Sequence, residues 1–410
     1  MSVGGEVSGG FAVAMAPRSR VPLWLLAVLT FTGTLAMHIF VPALPIAAAD
    51  LGATPAAMQM TISLYILGLA FGQLVYGPLA DRFGRRSVLM VGLTIYSAAS
   101  LAAALAPGAT SLIALRLLQA LGGCAGLVLA RAIVRDTAAP SEAARRLALM
   151  NLMVTLGPGL APIVGSFLAT ELGWRSIFLL LCLLGITNLT LTWRLLPETR
   201  QATAGGGAGV ARNYLRLLKS PAFLGYALGG GCATTSLYGF VAAVPFILVE
   251  QLHRPTYEVG VSLAILILGV WVGSAVASHL ITRLPIGRLL VGANALSVVA
   301  AAVLLVAALS GHLSLALTIG PMFVFTLGAG TASPAALTQA ISVNPHVVGS
   351  ASGLYGAAQM AVGALCTSLV SIGSDHALSA ALVLTAAGLI AQLSFWIALR
   401  RRPAEDPDKP

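Results

Sequence analysis

Apolar runs of twenty or more residues recur along almost the entire chain, and no other feature narrows the possible folds so far. Of 410 residues, 58% are hydrophobic and only 9% charged, where a water-soluble domain carries about 25% charged residues. So few charges cannot cover a soluble surface of this size. A run of about 20 apolar residues is instead what one membrane-crossing helix needs. A soluble enzyme, a disordered chain and a secreted disulfide scaffold are thereby excluded. The runs are continuous rather than alternating, which also excludes a β-barrel. The sequence predicts an all-α membrane protein of twelve spans, at roughly 21–44, 57–80, 87–106, 110–131, 146–169, 174–196, 222–249, 257–281, 286–309, 313–340, 348–373 and 377–399.

The charges orient these spans. With both termini inside, the inner connections hold Arg82, Arg85, Arg86, Arg131, Arg135, Arg145, Arg146, Arg194, Arg200, Arg212, Arg216, Lys219, Arg283 and Arg288, and the outer loops only Arg175 and Arg254. This follows the positive-inside rule. The net charge of +10 is thus an orientation signal, and the scattered arginines form no nucleic-acid-binding domain. Residues 1–20 read as a cytoplasmic tail, and the first span as retained rather than cleaved.

The longest connection, 198–220, contains the flexible run Ala204-Gly205-Gly206-Gly207-Ala208-Gly209. A basic segment follows, with Arg212, Arg216 and Lys219 at helical spacing, suited to an anionic leaflet surface. The chain divides into a tail (1–20), six spans (21–197), a linker (198–220), six spans (221–399) and a second tail (400–410). Gly68-x-x-x-Gly72 recurs as Gly269-x-x-x-Gly273, and Leu121-Gly122 as Leu327-Gly328, at offsets of 201 and 206 residues. Duplicated halves suit a transporter with its site between them, near the bilayer midplane.

Between spans 2 and 3 runs Gly77-Pro78-Leu79-Ala80-Asp81-Arg82-Phe83-Gly84-Arg85-Arg86. It reads as a tight turn, with Gly77 allowing close helix approach and Gly84 the sharp return. Asp81 is expected to reach a nearby Arg and the start of the helix beginning near Val348. This loop resembles motif A of the major facilitator superfamily. Span 4 carries Leu115-Arg116-Leu117-Leu118-Gln119-Ala120-Leu121-Gly122-Gly123, similar to motif B but with Ala120 where Gly is usual. Ala130-Arg131-Ala132-Ile133-Val134-Arg135-Asp136 follows. Span 5 carries Gly157-Pro158-Gly159-Leu160-Ala161-Pro162-Ile163-Val164-Gly165, similar to the antiporter motif C. The combination resembles the Bcr/CflA drug:proton antiporters. That resemblance implies two pseudo-symmetric six-helix bundles, alternating access, a bacterial inner-membrane location, a monomer and no cofactor. Conformational gating falls to Gly77, Asp81, Arg82, Gly84, Arg85, Arg86, Arg131, Gly157, Pro158, Pro162 and Gly165. The prolines and glycines of span 5 loosen its helix, and span 8 is its expected partner.

Arg116 is the one cation assigned well inside a span. A charge there costs about 2.5–3.5 kcal/mol on insertion scales. It either snorkels to the outer interface or stands in the central cavity, binding substrate or tuning a proton site. Span 1 departs from the family: in Ala36-Met37-His38-Ile39-Phe40-Val41-Pro42, His38 occupies the place of the usual acid. Thr30, Thr34 and His38 share one helix face. An unperturbed His changes charge near pH 6.5, so His38 is the obvious titrating group. The alternative is a neutral, hydrogen-bonded structural histidine.

None of the 13 acidic residues falls deep in the predicted spans. This argues against carboxylate coupling at mid-membrane and against cationic substrates. Neutral or weakly anionic amphiphiles of the phenicol type are expected rather than quaternary ammonium. Proton coupling is assigned to His38 and Arg116. Substrate contact is assigned to Thr30, Thr34, His38, Arg116, Gln119, Tyr238, Trp271, Tyr355 and Gln359. No metal site or disulfide framework is signalled, since Cys124, Cys182, Cys232 and Cys366 lie apart in apolar runs. No phosphate-binding loop of the G-x-x-x-x-G-K-[ST] form occurs. A same-fold facilitator or uptake carrier for a sugar or other metabolite is the alternative.

Overall fold

The computed structural model describes residues 21–138, 140–199, 208–344 and 347–400. Both predicted tails and most of the glycine-rich run lie outside these residues. Among the described residues all regular structure is helical. The helices are α1 (Leu23–His38), α2 (Leu44–Asp50), α3 (Pro55–Phe83), α4 (Arg85–Ala104), α5 (Ala109–Thr137), α6 (Pro140–Glu171), α7 (Arg175–Leu195), α8 (Ala208–Leu218), α9 (Pro221–Thr234), α10 (Leu237–Phe246), α11 (Thr256–Leu280), α12 (Ile286–Leu309), α13 (Leu315–Ser342), α14 (Val348–Val370) and α15 (His376–Arg400). Eleven helical stretches among the described residues are long and apolar enough to cross a membrane. The remaining predicted span, 146–169, falls inside the 32-residue α6.

Local chemistry sets several starts. Thr54 and Ser220 each precede a proline at the first helical position and accept from the backbone N–H three residues on. Ser314 caps α13 in the same way through Leu317. Two spans predicted as single runs are broken. Span 1 passes from α1 through a 3₁₀ turn, Val41–Ala43, into α2, because Pro42 and Pro45 interrupt the ladder. Span 7 breaks between α9 and α10, where the Thr235 and Ser236 hydroxyls donate back to Gly231 and Cys232 carbonyls at 2.8 and 2.6 Å. Past Pro245 it ends in a π turn, Ile247–Gln251.

The sequence repeat reappears as a packing repeat. A Cβ at Gly68 or Gly72 would collide with Ala120 or Cys124, bringing α3 onto α5. A Cβ at Gly269 or Gly273 would collide with Thr326 or the Leu327 carbonyl, bringing α11 onto α13. Small residues let backbones approach where apolar burial drives nothing, because lipid is as apolar as the helix. The outward surface is correspondingly greasy: Phe71, Val91, Leu183, Trp193, Val299, Val306 and Leu393 are all exposed, as lipid-facing positions should be.

Helices of the two halves meet at α3–α14, at α6–α11 and where the 3₁₀ turn after α1 approaches α10 and α11. Helix α8 forms the expected basic segment and lies against α14. Leu217 is fully buried, Arg212 and Arg216 are exposed, and the Tyr214 hydroxyl lies against Gly353.

Candidate functional site

Helix α1 carries its two key faces in opposite directions. On one, His38 looks toward the second half, while Thr34 one turn earlier lies against Gly157 of α6. The His38 ring meets the Tyr238 ring edge-on, with centroids 6.1 Å apart. Its Nδ1 lies 3.1 Å from the Thr34 carbonyl. From Tyr238 the polar line continues: its ring packs on Gly363 of α14. One turn earlier the Thr235 hydroxyl donates to the Gln359 carbonyl at 2.7 Å. Gln359 Nε2 donates to Thr234 Oγ1 at 2.9 Å and to Tyr355 Oη at 3.2 Å. The structure therefore brings His38, Tyr238, Gln359 and Tyr355 into one connected series. Trp271 stands apart from it, against Gly159 of α6, with its indole N–H buried and unpaired. Thr30 is buried and donates to the Leu26 carbonyl at 2.8 Å. It is closed in its own helix and does not extend a wet stripe.

Arg116 lies on the other face of α1, and this corrects the expectation of a cavity-lining cation. It is fully buried inside the first half. Its Nη1 donates to the Ala36 carbonyl at 3.0 Å and to Gln119 Oε1 at 2.5 Å. Gln119 in turn donates to Ser100 at 2.8 Å. The guanidinium carbon sits 4.1 Å from the centroid of the Tyr65 ring, with Phe40 and Phe178 at 5.7 and 5.8 Å. Tyr65 is fixed by donating to the Gly33 carbonyl at 3.1 Å. No carboxylate lies within ion-pair distance of the cation among the described residues; aromatic faces attract it instead. Ala36 is two residues from both Thr34 and His38, about 200° round the helix. Among the described residues no hydrogen bond joins Arg116 to His38.

The motif-rich turn is a charge network within the first half. Arg85 pairs with Asp81 at 2.7 Å and with Asp136 at 3.0 Å. Asp81 is half exposed; it reaches a nearby Arg as expected, Arg85, but among the described residues no bond from it to the first turn of α14 is seen. The span 11 start is approached instead by Arg135, which lies beside Gly349. Arg82 stacks on Phe83, and Arg86 donates to the Trp193 carbonyl at 2.6 Å. Arg131 sits in α5 with its Nε buried and unpaired.

Glu198 supplies a role that sequence reasoning missed. Its carboxylate accepts from the backbone N–H groups of Arg85 and Arg86 at 2.8 and 3.3 Å, capping α4 from 113 residues away. Gly84 makes this possible twice over: its φ is +95°, and a Cβ there would stand on the Glu198 carboxylate. Gly77, by contrast, has no atom of the described residues within 4 Å of a Cβ position, so the close approach expected there is not seen among them. Removing the cap with Glu198→Ala should cost about 1 kcal/mol. Gly84→Ala should cost more, because it displaces the cap and adds backbone strain of about 1–3 kcal/mol. Thermal unfolding of both purified variants checks the order.

Span 5 touches both neighbours through its glycines. A Cβ at Gly157 would meet Thr34 Oγ1, and one at Gly165 the Ile39 carbonyl. Toward α11, Gly159 faces Ile267 and Trp271. Gly260 packs on the Pro162 carbonyl, and Ser166 donates to Thr256 at 3.2 Å. Buried Gln59 was also missed: both polar atoms of its amide are unpaired. It lies about four turns before Gln73 on the same helix, and Gln73 packs on Gly356 of α14.

A bundle of apolar-faced helices with a titratable, partly polar seam between its halves is a multi-pass membrane transporter rather than an enzyme. Comparison with known proteins gives its kind. Residues 26–367 match the family model of the Major Facilitator Superfamily, and the chain belongs to that superfamily. It is 31% identical over 341 residues to a chloramphenicol resistance protein of Pseudomonas aeruginosa, covering 81% of this chain and 79% of that one. It is 29% identical over 385 residues to multidrug resistance protein D of Escherichia coli, covering 93% and 96%. It is 27% identical over 386 residues to a bicyclomycin resistance protein homolog of Haemophilus influenzae, covering 92% and 95%. Among solved structures it resembles an inward-facing bacterial homolog of the human lysosomal transporter Spinster, with a TM-score of 0.75 at 16% identity over 93% of this chain and 98% of that one. A D-xylose–proton symporter superposes with a TM-score of 0.71 at 14% identity, covering 91% and 96%.

Proposed function

We propose that the protein is a proton-driven exporter of small neutral or weakly anionic amphiphiles, of the Bcr/CflA type. It acts in the bacterial inner membrane with both termini cytoplasmic. The observation that carries this reading is the His38–Tyr238 contact across the halves. On this reading the imidazole stands where proton and substrate alternately occupy one seam. The similarity to chloramphenicol, bicyclomycin and multidrug resistance proteins supports export of uncharged or polar drugs. The two six-span halves, 21–197 and 221–399, rock about the seam, and the glycine and proline contacts of α6 serve as its bearing. Tyr238, Gln359, Tyr355 and Trp271 offer aromatic surface and amide groups to a substrate. Arg116 acts indirectly, by holding α1 from behind. The protein works as a monomer and takes no cofactor.

Purified protein in liposomes with an imposed pH gradient tests this directly. A panel of phenicols, anionic amphiphiles and quaternary ammonium compounds is offered to wild type and His38→Ala. Gradient-driven transport of phenicols is expected, abolished or at least about tenfold reduced in the variant. Wild-type transport indifferent to the gradient would make the protein a facilitator for a metabolite. Quaternary ammonium as the best substrate would overturn the reading of the missing buried acid.

A further inference from the structure

A groove of about 420 Å³ opens on the lipid-facing side of the second half, between α12 and α15. Val291, Leu389, Leu393 and Trp396 line it with apolar surface, and Gln392 places a carboxamide among them. An amide facing lipid is costly unless it has partners. Gln392 Oε1 accepts from buried Asn294 at 2.6 Å, and its Nε2 donates to the Val291 carbonyl at 3.3 Å. That arrangement holds the amide rigid and leaves it one N–H to give. The groove ends where the start of α12 crosses the end of α15: Gly287 packs against Leu399. The next residue on each helix is an exposed arginine, Arg288 and Arg400. Arg400 stacks on Trp396 with its guanidinium carbon 3.5 Å from the ring centroid. Neither arginine has a carboxylate within ion-pair distance among the described residues.

We propose that this groove binds one anionic phospholipid of the leaflet at the arginine-rich end of the bundle. An acyl chain fills the apolar wall, the glycerol ester accepts from Gln392, and the phosphate lies between Arg288 and Arg400. Two features select this occupant over a second copy of the chain. The mouth carries two like charges that a symmetric partner would repeat rather than complement. The tryptophan stands one turn inside them, at the depth where indole rings meet headgroups. A basic pocket between helices at this level suits an anionic headgroup.

Trp396 reports on its own site. Purified wild type and Trp396→Phe are titrated in micelles with phosphatidylglycerol or phosphatidylcholine brominated in the acyl chain. The difference between the two proteins isolates the Trp396 emission. Half-quenching by phosphatidylglycerol is expected at a roughly tenfold lower mole fraction than by phosphatidylcholine. Arg288→Gln/Arg400→Gln should bring the two lipids level while both still quench. Arg212→Gln/Arg216→Gln, which removes two exposed charges from α8, should leave the preference intact. Equal quenching in wild type overturns the proposal, as does a preference lost equally in the α8 variant. Absent quenching by both lipids, with association that rises with protein concentration, overturns it in favour of a second copy.

Discussion

Arg116→Met should lower transport at least about tenfold and destabilise the protein by about 2–4 kcal/mol. The sign is not obvious, because removing a buried cation relieves its transfer cost of about 2.5–3.5 kcal/mol. Against that stand two charge-assisted hydrogen bonds, to Ala36 and Gln119, at about 1.5–3 kcal/mol each. The Tyr65 face 4.1 Å away adds about 2 kcal/mol in a desolvated site. The retained contacts win, and Met recovers only part of the loss through apolar burial. Transport suffers more than stability because the Ala36 carbonyl lies just before α1 gives way to the 3₁₀ turn at Val41. That is where α1 presents His38 to Tyr238. A double-mutant cycle separates the pieces. Gln119→Leu in the Arg116→Met background should cost at least about 1 kcal/mol less than in wild type, because the amide oxygen is then already orphaned. Unfolding and transport measured on all four proteins give the answer, and strictly additive losses would show that guanidinium and amide do not act as a unit.

What the sequence made legible follows from which forces are local. Span lengths were readable because bilayer thickness sets them, and the structure's Ile286–Leu309 coincides with the predicted 286–309. The break in span 7 was not, because its cause is hydroxyls at Thr235 and Ser236 turning back on the backbone inside an apolar run. Arg116 was legible as a buried cation that needed a reason. Its side of α1 was not, because a helix apolar all round has no periodic stripe to fix its rotation. Glu198 opens the predicted linker, just past the span that ends at residue 196. Its partner lies 113 residues earlier, beyond any local rule. The paired glycines of α3 and α11 were visible as a repeat, and their contacts with α5 and α13 are the packing that the repeat serves.

Gly165→Ala should abolish transport and destabilise the protein by more than about 3 kcal/mol, whereas Gly77→Ala should be neutral or stabilising by up to about 1 kcal/mol. Both glycines lie within helices and in motif segments, and helix propensity alone favours alanine at each. Space decides between them. A Cβ at Gly77 meets no atom of the described residues within 4 Å. A Cβ at Gly165 would overlap the Ile39 carbonyl, which is backbone and cannot swing aside as a side-chain end could. Helix α6 would have to leave α1 at the point where His38 is followed by the 3₁₀ turn, and its seam with α11 at Pro162 and Ser166 would shift with it. Overpacking of about 1–3 kcal/mol is usual where side chains can yield, and here none is available to do so. Gly157→Ala should fall between the two, since its obstacle is the Thr34 hydroxyl, which can rotate away from its bond to the Phe31 carbonyl. Thermal unfolding and gradient-driven uptake measured on the three variants test the ranking. If Gly165→Ala behaves like Gly77→Ala, the α1–α6 contact is loose and span 5 cannot be the bearing on which the halves turn.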